Sequence, residues 1–279
     1  MKIVKTIAII VILVCLTLLY SKYIGTTGIE TREYRVESSI LTSNFSGLKV
    51  IHFSDLLYGS ITDMKDVKTM VEKINVLKPD LVLFTGDLIS PNYKLKEDDK
   101  KNIMKNLNQI EASIGKYAIY GDYDFDLNAY EDIITSSGFK LLNNEYEEVF
   151  YKTQESMYIV GLPSSIKSKI DMEKSFEFYA DENRKYTIVM THEGKSIKYI
   201  DDSTYEVDLI LGGHSLNGSV RLPFIGGILK EDNTYKYDDE LYERGITKIY
   251  ISGGLGTHEY DFRLNNKPSF NLYRLKAQS

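Results

Sequence analysis

Residues 79–89 read PDLVLFTGDLI. Proline stops whatever helix precedes it, residues 81–84 are uninterrupted apolar, and a Thr-Gly-Asp step follows them. A short apolar run without polar alternation marks a strand buried on both faces, as in a parallel sheet. Four other runs share the design: VIHFS before Asp55, YAIYG before Asp122, TIVMT before His192 and LILGG before His214. Open α/β sheets gather their chemistry beyond the carboxyl ends of such strands, so these five oxygen or imidazole donors are expected in one pocket. Singly, each is an ordinary strand-to-loop residue. Their coincidence is the signal.

The 279 residues are 43% hydrophobic, enough for a sizeable core in one large domain or two small ones. A formal charge of -6 argues against a binder of duplex nucleic acid, which carries a basic patch or stripe. Cys15 is the one cysteine, so neither an internal disulfide nor a thiolate zinc cluster can form. It lies within residues 6–20, a stretch free of charge and flanked by Lys2, Lys5 and Lys22. At about 1.5 Å per residue this stretch is slightly short for a hydrocarbon layer of about 30 Å, but flanking lysines can snorkel. No small-x-small cleavage pattern follows Tyr20, and Val14 rather than a small residue precedes Cys15. Residues 1–24 are therefore read as an uncleaved anchor whose partner is the lipid bilayer. The leading lysines place the amino terminus in the cytoplasm, which makes this a single-pass cell-membrane protein with an extracytoplasmic domain.

Residues 25–46 read as a linker and an edge strand, and residues 47–279 as the main domain. Met64, Val67, Met70, Val71, Ile74 and Leu77 recur at helical spacing behind a cap at Thr62 or Asp63, and Pro79 ends the helix. Ile103, Met104, Leu107 and Ile110 mark a second helix, entered through the solvated polar run 94–102. Asn128 and Glu131 form a capping box for a third helix, ended by Gly138. Residues 146–151 and 157–161 read as antiparallel strands, 172–180 as a helix, and 248–252 and 270–275 as closing strands. The Gly212-Gly213 and Gly226-Gly227 pairs read as tight turns. Alternating units early and antiparallel strands late predict an α/β fold of two mixed β-sheets packed face to face and flanked by helices.

Taken together, Ser54-Asp55-Leu56-Leu57, Thr85-Gly86-Asp87, Gly121-Asp122-Tyr123-Asp124, Thr191-His192 and Gly213-His214-Ser215-Leu216 resemble, in order and spacing, the motifs of the calcineurin-like metallophosphoesterases. The membrane-anchored bacterial phosphodiesterase branch is the most similar, and the closing GGLGTHEYDFRLNNKPSFNLYRL extends the likeness to residue 275. The resemblance implies the family's four-layer sandwich and hydrolysis of phosphomonoesters or phosphodiesters at two metals about 3.5–4 Å apart. It implies a first metal on Asp55, position 57, the bridging Asp87 and position 216. A second would use Asp87, position 122, His192 and His214, with a catalytic histidine at position 123.

Three of those positions depart from the pattern: Leu57 and Leu216 donate nothing, and Tyr123 replaces the histidine. The expected ligands are thus Asp55, Asp87, Asp122, His192 and His214, holding one divalent transition metal (zinc, iron or manganese), while a second metal lacks its imidazoles. No residue is assigned a catalytic role, since a phenol with a pKa near 10 is a poor acid at neutral pH. General acid–base help is worth about 10²–10⁴ in rate. Two functions follow: a mononuclear, catalytically impaired protein or pseudoenzyme that binds a phosphorylated ligand, or an active single-metal phosphomonoesterase or phosphodiesterase. His52 is expected to pack inside its strand and His258 to lie on an exposed loop. Arg263 is expected to pair with Asp261 or Glu259, or to meet a phosphate.

Overall fold

A computed structural model describes residues 1–180, 184–228, 236–237 and 239–278. In chain order its elements are α1 (Lys2–Tyr23), β1 (Glu30–Ser38), β2 (Lys49–Phe53), α2 (Met64–Leu77), β3 (Leu81–Phe84), α3 (Glu97–Asn108) and β4 (Gly115–Ala118). There follow α4 (Tyr130–Ser136), β5 (Lys140–Leu141), β6 (Glu145–Phe150), β7 (Ser156–Gly161), α5 (Met172–Ser175), β8 (Thr187–Met190) and α6 (Ile197–Asp201). The last are β9 (Leu209–Gly212), β10 (Arg221–Leu222), β11 (Gly226–Gly227), β12 (Leu241–Arg244), β13 (Thr247–Ile251) and β14 (Ser269–Ala277).

Side chains alternate across a strand, and that period assigns each apolar residue to a layer. Val50, Leu81, Leu83, Ile188, Met190, Leu209 and Leu211 meet in one core between two sheets. Their neighbours Ile51, Phe53, Val82 and Phe84 pack outward with residues of α2, α3 and α4. Val189 and Ile210 face a third cluster with Phe176, Ile197 and Ile200. The result is the expected helix, sheet, sheet, helix sandwich. The first sheet runs β1-β14-β2-β3-β4-β5 and the second β12-β13-β9-β8-β7-β6.

Local signals are partly confirmed. Asp63 caps α2 in a reciprocal box with Asp66, and Lys78 closes the helix at φ 51° just before Pro79. The α4 cap differs from expectation: Ala129 holds that position with no side-chain hydrogen bond, so Asn128 caps nothing. The helix expected over 172–180 is broken at Phe176, α5 being followed by a 3-10 turn. The late half is also more parallel than predicted. β6 and β7 pair antiparallel as expected, but β7, β8, β9 and β13 run parallel, and β12, unforeseen, closes the edge. Gly226-Gly227 pairs with β10 as one side of a hairpin.

The 22-residue α1 contains an 18-residue window of mean hydropathy 2.7 and is long and apolar enough to cross a membrane. At about 1.5 Å per residue it spans roughly 33 Å. Its apolar side chains are exposed along its length.

Candidate metal centre

Because β2, β3, β8 and β9 are parallel neighbours within their sheets, their carboxyl ends open on one side. Tight turns there hold Asp55 at φ 48°, Asp87 at 63° and His214 at 62°. Left-handed backbone is uncommon away from glycine and concentrates where a structure must aim a side chain. Gly86 and Gly121 let the second and third turns touch. A Cβ on Gly86 would fall 2.2 Å from the Gly121 nitrogen, and one on Gly121 would fall 2.1 Å from Asp87 Oδ1.

Asp87, Asp122, His192 and His214 each bring a donor atom within 4.8 Å of the others, and all four are buried. His192 Nε2 stands 3.1 Å from Asp122 Oδ1 and 3.3 Å from Asp87 Oδ2, and His214 Nδ1 is 3.5 Å from Asp122 Oδ1. The Thr85 carbonyl lies 2.7 Å from His192 Nδ1. A carbonyl only accepts, so Nδ1 carries a proton and Nε2 is the ring nitrogen aimed at the centre, able to ligate once it gives up its own proton, an arrangement usual for metal-binding histidines. Asp87 Oδ2 is buried and accepts no hydrogen bond. Buried charges are normally paired or bound to metal. Two carboxylates and two imidazoles around an unsatisfied oxygen therefore fit a zinc, iron or manganese ion.

The electrostatics describe what such an ion would displace. Burial pushes the Asp87 carboxyl up to about 7, against the pull of His192. Burial also opposes the charge of Asp122, but hydrogen bonds from His192 and His214 outweigh it and hold that carboxyl well below the usual range. Burial lowers both imidazoles, yet the neighbouring carboxylates leave His192 well above its ordinary value and His214 raised.

Asp55 is buried beside this group, not within it. Its two carboxylate oxygens lie 3.2 and 3.1 Å from the backbone N–H of His214, and its carbonyl accepts from Leu255 and Gly256. Leu57 and Leu216 are buried apolar residues, held at φ 43° and 51°. Tyr123 is half-buried, donates its N–H to Asp87 Oδ1 at 3.1 Å and sets its ring 5.8 Å from that of His258.

Several second-tier residues differ from expectation. His258 is buried, not exposed: Nε2 lies 2.9 Å from the His214 carbonyl, 44 residues away in sequence. Arg263 meets neither Asp261 nor Glu259. Fully buried, it donates to the carbonyls of Gly253, Asn266 and Gly256, and burial lowers its pKa to about 9. His52 packs as expected, 2.9 Å from Thr85 Oγ1, and burial depresses it to about 3. Asp124, in sequence only the last residue of the third motif, has a structural role of its own. Its carboxylate accepts from the backbone N–H groups of Asp87, Gly121 and Leu88 at 2.7–2.9 Å, locking two turns together.

The profile of the calcineurin-like phosphoesterase family matches residues 48–218. Over 261 residues the chain is 30% identical to the uncharacterized metallophosphoesterase YkuE of Bacillus subtilis, covering 92% of this chain and 89% of that protein. It is 20% identical over 258 residues to a transmembrane protein with metallophosphoesterase domain of Danio rerio, covering 85% of this chain and 55% of that one. The chain spans about half the length of several other relatives, among them 54% of a Campylobacter jejuni metallophosphoesterase. A dimetal phosphatase structure from Danio rerio aligns with a TM-score of 0.47 at 10% identity, covering 75% of this chain and 88% of that one.

Proposed function

The chain belongs to the calcineurin-like phosphoesterase family, and from that premise we propose that it is a membrane-anchored metallophosphoesterase whose centre takes one divalent metal and hydrolyses slowly. The observation that carries the reading is the convergence of Asp87, Asp122, His192 and His214 beside two buried leucines. When bound, the chemistry such an ion supplies is polarisation of a phosphoryl oxygen and activation of water. Asp87 and Asp122 hold the negative charge that fixes it. Thr85 keeps His192 in the ligating tautomer, and Asp55 positions His214 by accepting its backbone N–H. Tyr123 takes the place of the histidine to which the family resemblance gives protonation of the leaving group, and its phenol serves that role poorly at neutral pH. Leu57 and Leu216 leave a second ion with Asp55 and the shared Asp87 alone. α1 anchors the chain, with the metallophosphoesterase domain on the extracytoplasmic side.

The same leucines and Tyr123 favour one other reading, a module that binds a phosphorylated ligand without hydrolysing it. Elemental analysis of the purified chain beside a generic phosphodiester assay separates the two. One equivalent of transition metal with slow, metal-dependent turnover is expected. Metal without turnover supports the binding module, no metal after reconstitution overturns the mononuclear centre, and vigorous manganese-stimulated hydrolysis overturns the impaired centre.

A further inference from the structure

The hairpin of β10 and β11 leaves the metal loop seven residues after His214. Its turn is Leu222, Pro223, Phe224, Ile225, with Ile225 N–H donating to the Leu222 carbonyl at 3.2 Å and Phe224 at φ 66°. Proline second and a left-handed third residue make a type II pattern, where glycine or asparagine is the relaxed choice. A bulky aromatic at that place is a backbone outlier. It is also fully exposed: Phe224 at 110%, followed by Ile225 at 72% and Ile228 at 50%. Folding does not bury these side chains.

The position of the hairpin says what does. Val220 pairs with Leu264, Arg221 N–H donates to the Leu264 carbonyl, and Leu264 N–H donates to Ser219. The adjacent Arg263 N–H donates to the carbonyl of Ser21 in the last turn of α1 at 3.0 Å. The chain leaving α1 is pressed against the same strip, since a Cβ on Gly25 would fall 1.8 Å from the Arg263 oxygen. From Val220 to Phe224 is four residues, at most about 13 Å of extended chain. The exposed tip is thus tied to the point where α1 meets its domain. Tyr23 and Tyr260, both exposed on the segments so joined, add amphipathic rings of the kind found at membrane surfaces. The same closing loop reaches the metal centre, where His258 meets the His214 carbonyl and Asn266 Nδ2 donates to Leu216 and Gly218.

We propose that Pro223, Phe224 and Ile225 form a membrane-docking tip that enters the head-group layer of the bilayer crossed by α1 and holds the metal centre against that surface. This rests on α1 being a membrane anchor. The centre would then act on phosphate presented at the membrane face.

The chain has no tryptophan, so Phe224→Trp in the full-length protein creates a single reporter. In vesicles of phosphatidylcholine and phosphatidylglycerol its emission should be blue-shifted, quenched by lipids brominated high on the acyl chain and several-fold less sensitive to iodide than Ile246→Trp. Ile246 is 58% exposed in the β12–β13 turn, at the end of the second sheet away from the metal loops. Ile225→Trp repeats the test should Phe224→Trp misfold. A chain that fails to float with vesicles overturns the anchor and the docking tip together. A chain that floats while its tip behaves like Ile246→Trp overturns the tip alone. Shielding from iodide without quenching by brominated lipid also overturns it, since something other than lipid would then cover the tip.

Discussion

In the centre proposed above, Asp87, Asp122, His192 and His214 occupy one half, while Asp55, Leu57 and Leu216 occupy the other. Both halves are built on the same sheet-end loops. Left-handed backbone persists at 55, 57 and 216 as it does at 87 and 214. Asp124 bonds the Asp87 turn to the Gly121 turn, and Asp55 N–H donates to the Gly86 carbonyl at 2.9 Å. The scaffold of both half-sites is therefore held by backbone and buried carboxylates, without regard to what the side chains ligate. Chemistry can then be lost from one half by changing side chains alone. In the proposed centre imidazole at 57 and 216 would serve as ligand, whereas the leucines there are buried.

The comparison breaks most visibly in the kept half. His192→Ala or Asp87→Ala should lower bound metal from one equivalent to none by elemental analysis. A variant that kept its metal would move the centre elsewhere. Metal should also be lost on acidification, because ligation requires deprotonated imidazoles. Since the raised His192 and His214 hold their protons above the ordinary imidazole value, that competition begins above pH 6.5; a metal titration at stepped pH reads it.

The erased half should be recoverable. Leu57→His, Tyr123→His and Leu216→His together should bring a second equivalent of metal and raise phosphodiester hydrolysis by at least the 10²–10⁴ of a restored proton donor, roughly. Unchanged metal content and rate would show that the loops no longer present these positions to a common centre. If the leucines now serve packing, Leu57→Ala should cost about 2–5 kcal/mol in chemical denaturation while leaving the bound metal in place. Smallest is a control outside both halves: Asp63→Ala, which removes the α2 cap, should cost about 1 kcal/mol and leave metal content unaltered.

Much of this was legible in the chain before folding. Runs such as LVLF and LILG carry their burial in their composition, and the donors after them mark the strand ends, because a strand's faces and a turn's chemistry depend on residues close in sequence. That leucines stand at 57 and 216 needed no coordinates either. Cap and pairing choices were less visible: Asn128 has the chemistry of a cap and does not serve as one, and the late strands run parallel because of crossovers that no local pattern encodes.

The apolar periodicity, the order of the metal donors and the charge-free amino-terminal stretch are short-range properties, so residue identity and spacing were enough to establish them. Long-range contacts settled the rest: Asp55 reaching the N–H of a residue 159 positions away, His258 buried against the metal loop, Arg263 spent on three carbonyls, and an apolar hairpin brought beside α1. Which buried polar group finds which partner depends on how loops from distant strands close over one another, and a linear pattern carries no record of that geometry.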